Sequence, residues 1–196
     1  MTDLELVKQL RQITQVGFSD CKSALEESDW NLDKAIEILR KKGIAKAGKK
    51  AGNKTLEGVV ASYIHSGNGL GAMVQLGCQT DFVARNEDFV KLAQEIAMHV
   101  AAMNPEFVSR DQVPQERLDK EKEIILAQSG DLSKKPKEVQ EKIVEGKLSK
   151  FFEEICLMNQ KFVKDDSKTI EEIIKESIAK VGENIQIVRF ARFSVK

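Results

Sequence analysis

Seven apolar residues, Phe89, Leu92, Ala93, Ile96, Ala97, Val100 and Met103, recur at the spacing that puts them on one stripe of a single helix. No other segment constrains the fold as much. Asn86 offers a side-chain cap, Glu87 and Asp88 complement the dipole of the first turn, and Pro105 stops the helix. Just upstream, residues 59–65 (Val-Val-Ala-Ser-Tyr-Ile-His) are rich in strand formers, and Ser66-Gly67-Asn68-Gly69 carries hairpin chemistry. A second strand follows over 70–78. Downstream, Pro114 and Pro136 read as first helical residues, opening helices over 118–126 and 139–144. Gly146 reads as an interruption before a further helix with Leu148, Phe151, Phe152 and Ile155. Ile170, Ile173, Ile174 and Ile178 mark the last helix, and residues 184–193 alternate as a closing strand. Two strands, a helical middle and a returning strand predict an α+β core, with helices on one face of a small antiparallel sheet.

The first 43 residues read as three short helices. Leu6, Val7, Leu10 and Ile13 form one apolar face, Gly17 breaks it, and Ser19 or Asp20 can cap a second helix carrying Cys21, Ala24 and Leu25. Asn31 caps a third helix bearing Leu32, Ala35, Ile36 and Leu39. Gly43 is expected in the left-handed position at its end, behind Arg40, Lys41 and Lys42. Seven basic residues and no acid lie between Arg40 and Lys54, with Gly48 and Gly52 among them. That stretch reads as a mobile connector, so the expected domains are 1–54, three helices with the connector, and 55–196, the α+β core.

Composition excludes several classes. The 196 residues hold 31 Lys+Arg against 31 Asp+Glu, which argues against a dedicated nucleic-acid or membrane-surface binder. No apolar run reaches the length of a membrane span, and the N-terminus has neither the basic nor the apolar region of a signal peptide. Cys21, Cys78 and Cys156 stand alone, as reduced thiols do inside a cell. A cytoplasmic protein without metal or cofactor is expected. Phosphate-loop, Gly-x-Ser-x-Gly and His-Glu-x-x-His patterns are missing, so an enzyme is not expected. A nucleophile–base pair such as Cys78 with His99 is the enzyme reading, against which a buried Cys is usually inert packing. For His99 itself two readings stand: a boundary residue with one bonded ring nitrogen, or a partner contact.

The segment Gln79-Thr80-Asp81-Phe82-Val83-Ala84-Arg85-Asn86 also admits two readings. If the long helix starts at Asp81, Phe82 is the first rung of its core stripe. If Asn86 caps that helix, Thr80 to Arg85 form a separate turn that holds Phe82 and Val83 partly outward, as a binding feature would.

The motif Thr80-Asp81-Phe82-Val83-Ala84, after Gln75-Leu76-Gly77-Cys78-Gln79, resembles the second signature of the elongation factor Ts family. Residues 14–25 (Thr-Gln-Val-Gly-Phe-Ser-Asp-Cys-Lys-Ser-Ala-Leu) resemble the first. Further similarity lies in 46–53, 98–105 and 181–185, in the family's order and across nearly the whole chain. The family commonly has Gly-Ala at Gln15-Val16, Met-Met at Phe18-Ser19, and Glu and Asn at Gln75 and Gly77. The length resembles the short form, with one core module where long members carry two.

The resemblance implies an N-terminal bundle like a ubiquitin-associated domain and guanine-nucleotide exchange on the GTPase elongation factor Tu, with Mg²⁺ dislocated from the GTPase. It implies Thr80, Asp81, Phe82 and Val83 as the residues that act near that magnesium site. Phe18, Lys22, Lys50 and His99 are further contact candidates. It implies a homodimer through the core domain, with residues 185–193 and the helix around Phe151-Phe152 as interface, and no direct contact with nucleic acid or membrane. The alternative is a ribosome- or RNA-associated interaction module without exchange activity that uses the basic connector, which steep salt dependence would reveal.

Overall fold

The computed structural model describes residues 2–14, 16–50, 52–128 and 137–195, and of 44–47 and 49 the backbone alone. Gln15 and Pro136, and the side chains of Lys46 and Lys49, lie outside the described residues. The architecture is α+β, with helices leading and a three-stranded antiparallel sheet following. Among the described residues no helix is long and apolar enough to cross a membrane. Two compact units are present: residues 1–61, 75–93 and 172–187 form one, and 62–74, 94–171 and 188–196 the other.

In the first unit, α1 (Asp3–Thr14), α2 (Phe18–Glu27) and α3 (Leu32–Lys50) form the expected bundle. Val7, Leu10, Cys21, Ala24, Leu25, Ala35 and Leu39 are its buried centre, with Leu6, Trp30 and Ile36 packed against them. Ile13 stays exposed. The helix starts differ from expectation at α2: its cap is Gly17, without a side-chain bond, so Ser19 and Asp20 sit inside the first turn. Asn31 caps α3 as expected, its Oδ1 accepting the Lys34 N–H at 3.0 Å. Gly43 does not end α3. The helix continues to Lys50, and the segment expected as a connector is helical up to that residue.

β1 (Glu57–Ile64) and β2 (Leu70–Cys78) form the expected hairpin, and the His65 N–H closes it onto the Leu70 carbonyl at 2.8 Å. β2 is the central strand, and its Ala72, Val74 and Leu76 are buried while Met73 is exposed, the period-two pattern of a sheet with two unlike faces. A single turn, α4 (Asp81–Ala84), precedes the long α5 (Glu87–Met103). α6 (Gln115–Gln128) begins one residue after Pro114, whose carbonyl accepts the Arg117 and Leu118 N–H groups, so Pro114 is the cap rather than the first helical residue. α7 (Lys137–Ile155) runs unbroken through Gly146, because one exposed glycine costs a helix of this length only about 1 kcal/mol.

A hairpin of β3 (Lys161–Phe162) and β4 (Asp165–Thr169) was not expected; its strands are too short and polar to show a period. α8 (Ile170–Val181) buries Ile170, Ile174 and Ile178, and β5 (Gln186–Ser194) pairs beside β2 at an edge of the sheet. Phe151 is buried with Val113, Ile155 and Cys156, and the Arg110 guanidinium lies 4.7 Å from the centre of the Phe152 ring. Phe151 is therefore core, which removes it from any exposed interface.

Candidate functional site

The turn after β2 is built from both ends. Cys78 is buried and its thiol donates to the Thr80 carbonyl at 3.2 Å. Thr80 is extended, and its carbonyl then accepts the Ala84 N–H at 3.2 Å to start α4. The Arg85 and Asn86 N–H groups close on the Asp81 and Val83 carbonyls, each at 3.0 Å. Asn86 turns the chain a second time: its Oδ1 accepts the Asp88 and Phe89 N–H groups at 2.8 and 3.3 Å and caps α5. Two helix starts six residues apart, at Asp81 and Glu87, put Phe82 off the α5 stripe. Phe82 is 83% exposed and Phe89 is 2% exposed, so the two open readings of this segment resolve in favour of a separate turn. Beside the ring, Asp81 and Arg85 form an exposed 3.3 Å ion pair, a contact of small net worth that leaves the carboxylate open to competition.

Glu183 stands behind the turn. Its Oε2 accepts the Gln79 and Thr80 N–H groups at 3.2 and 3.0 Å, and its Oε1 accepts the Thr80 hydroxyl at 2.7 Å. The neighbouring Asn184 donates its N–H to Gln79 Oε1 at 3.3 Å and its side-chain amide to the Asn53 carbonyl at 2.8 Å. α8 can deliver these two residues there because Gly182 takes φ +78°, ending the helix with its N–H on the Ile178 carbonyl at 2.9 Å. Lys50 Nζ donates to the Gly182 carbonyl, placing a cation at that helix C-terminus. Reading the sequence missed Glu183 as a site residue. Its only signal was membership of the similar stretch 181–185, since one acid after a helix carries no pattern of its own.

The remaining candidates fall in different places. Phe18 opens α2 and is 43% exposed, and Lys22 on the same helix forms an exposed 3.7 Å pair with Glu26. Lys50 reaches the Gly182–Glu183 segment and so joins the support of Thr80, Asp81, Phe82 and Val83. His99 corrects the expectation of a boundary residue: it is wholly buried and both ring nitrogens are used. The Val163 N–H donates to Nδ1 at 3.2 Å, which leaves the proton on Nε2, bonded to Gln160 Oε1 at 3.0 Å. Gln160 in turn donates to the Glu154 carbonyl at 2.8 Å. Burial lowers the His99 pKa, partly offset by the Gln160 bond.

The thiols are not poised for nucleophilic attack. Burial, then the charge of Glu183, raises the Cys78 pKa, and burial pushes Cys156 up to about 11. Cys78 and His99 each bond to other groups.

The family model described as Elongation factor TS matches residues 5–196. The elongation factor Ts of Thermosipho melanesiensis is 56% identical over 195 residues, covering 100% of this chain and 99% of that protein. The chain belongs to the elongation factor Ts family. The elongation factor Ts of Pseudothermotoga lettingae is 53% identical over 191 residues, with 97% of this chain and 96% of that protein covered. That of Syntrophomonas wolfei is 52% identical over 195 residues, covering 100% and 91%. The similarity read from the signature residues of elongation factor Ts thus extends along the whole chain.

Proposed function

We propose that this chain is a cytoplasmic translation elongation factor that binds elongation factor Tu carrying GDP, dislocates its Mg²⁺ and speeds GDP release so that GTP can rebind. One observation carries the reading: Phe82, a large apolar ring, stands almost fully in solvent on a turn anchored at both ends. An exposed ring gives the fold little, and a fixed one can enter a partner with little loss of entropy. The GTPase magnesium keeps several waters and bridges to phosphate. Phe82, with Asp81, Thr80 and Val83 around it, enters the partner near those waters; the metal leaves, and the phosphates lose their main counter-charge. Coupling is reciprocal, so nucleotide rebinding weakens the factor's own hold to the same extent and releases it.

Phe18 and Lys22 on α2 supply a second contact through the bundle. His99, with no exposed atom, contributes by holding its own surroundings rather than by touching a partner. The protein works as a homodimer through its core, supported by β5 at a sheet edge with Phe193 and Val195 exposed. The RNA-module reading has less support: Arg40 pairs with Glu172 and Glu176, Lys42 with Glu27, and Lys50 with the Gly182 carbonyl, so much of the basic segment is already engaged.

Stopped-flow release of fluorescent GDP from elongation factor Tu tests the proposal. Wild type accelerates release and Phe82→Ala does so at least about tenfold less, a loss of roughly 1.4 kcal/mol in the coupled step. With Mg²⁺ chelated, the two proteins accelerate release to similar extents, because the metal has already gone. Equal activity of Phe82→Ala and wild type in the presence of Mg²⁺ overturns the wedge assignment.

A further inference from the structure

The compact unit that holds the N-terminal helices also holds the Phe82 turn and most of α8. α3 lies against α8 closely: a Cβ on Gly43 would stand 2.8 Å from the Ala179 Cβ, and Arg40 reaches Glu172 and Glu176 at 3.8 and 3.3 Å. At the end of α8, Lys50 holds the Gly182 carbonyl, and the next side chain, Glu183, takes three hydrogen bonds from Gln79 and Thr80. Phe82 cannot hold itself in place, since its ring is exposed and α4 is a single turn, shorter than any helix that is stable alone. Its stiffness comes from behind.

We propose that Glu183 is a positioning residue: through Thr80 it holds Phe82 in a fixed relation to α3, so that docking of the helical bundle aims the ring. This rests on the reading of the turn as the exchange wedge. A ring free to swing would still let the bundle dock, but less of the binding energy would reach the partner's metal site. Loss of Glu183 therefore acts on the rate within the complex and spares its formation.

The test measures GDP release against factor concentration for the full chain, together with amide hydrogen exchange at Gln79 and Thr80. Glu183→Ala is expected to lower the maximal release rate about tenfold while the half-saturating concentration changes less than about twofold. The Gln79 and Thr80 amides exchange at least about tenfold faster in that variant. Glu183→Gln keeps an oxygen for both N–H groups and can donate to the Thr80 hydroxyl, so it restores the rate to within about threefold of wild type. Phe82→Ala combined with Glu183→Ala is no slower than Phe82→Ala alone, because both act through one ring. Should Glu183→Ala fail to fold, Thr80→Val removes one of the three bonds and is expected to lower the maximal rate about threefold. An impaired Phe82→Ala beside a folded Glu183→Ala (or Thr80→Val) of full maximal rate overturns the positioning role, as does a variant that raises only the half-saturating concentration. A fully active Phe82→Ala is a different pattern: it removes the function of the turn, and this inference with it.

Discussion

Phe82 and Phe89 are seven residues apart and differ in almost everything that matters for stability. Truncating the exposed Phe82 to alanine is expected to change unfolding free energy by no more than about 0.5 kcal/mol, as for other surface substitutions. Phe89→Ala, at a ring 2% exposed, is expected to cost about 3–5 kcal/mol. Denaturant titration of both variants checks the pair, and a large loss for Phe82→Ala would make it a core residue. His99 gives a pH prediction. The unfolded imidazole takes its proton near pH 6.5, roughly the ordinary histidine value. The folded one resists until lower pH, because burial disfavours the charged ring, and protonating Nδ1 would also break its bond with the Val163 N–H. Between those values the unfolded chain binds more protons, so stability falls as pH falls from about 6.5, and the loss stops growing below the folded pKa. His99→Gln can keep both hydrogen bonds without titrating, and its unfolding free energy should fall less between pH 7.5 and 5. Equal slopes for the two proteins would show that His99 does not carry this loss of stability.

At the scale of elements, Gly43 and Gly146 make opposite predictions from the same substitution. Both lie inside helices, where alanine is intrinsically favoured by about 1 kcal/mol. A Cβ at Gly146 meets nothing within 4 Å, so Gly146→Ala should raise stability by about 0.5–1 kcal/mol. A Cβ at Gly43 meets that of Ala179 at 2.8 Å, and neither atom can swing aside. Gly43→Ala should therefore destabilise by about 1–3 kcal/mol despite its better propensity. Thermal unfolding of the two variants, with opposite shifts in midpoint, checks both; a stabilised Gly43→Ala would mean that α3 and α8 are not in close contact. The same glycine was read from sequence as a helix end. Propensity and charge at residues 40–43 allow that, but packing against α8 continues the helix.

For the molecule as a whole, the dimer proposal is open to a direct measurement. β5 sits at a sheet edge, and its Phe193 is 70% exposed. Sedimentation equilibrium at micromolar concentration should give twice the 22.0 kDa chain mass. Phe193→Glu should shift it towards the single chain, because burying a carboxylate in an apolar interface costs several kcal/mol, roughly, unless it is paired. Its folding stability should be nearly unchanged. A wild type that sediments as one chain contradicts the proposal.

Much of this protein was determined by its sequence alone. The α5 stripe, the β1–β2 hairpin, the cap at Asn31 and the isoleucine face of α8 depend on spacing and on side chains binding their own backbone, and both are local. The Thr80–Val83 motif and its family were legible for a similar reason, as a contiguous run of residues. The tertiary structure decided what contacts between distant segments control. It carried α3 past Gly43 to Lys50, made His99 an interior residue through Gln160 and Val163, and brought Glu183 more than a hundred positions along the chain to Thr80. It also chose between two starts for the long helix and so put Phe82 in solvent. A single glutamate, histidine or glycine has no period, and its role depends on which surface the fold brings to it.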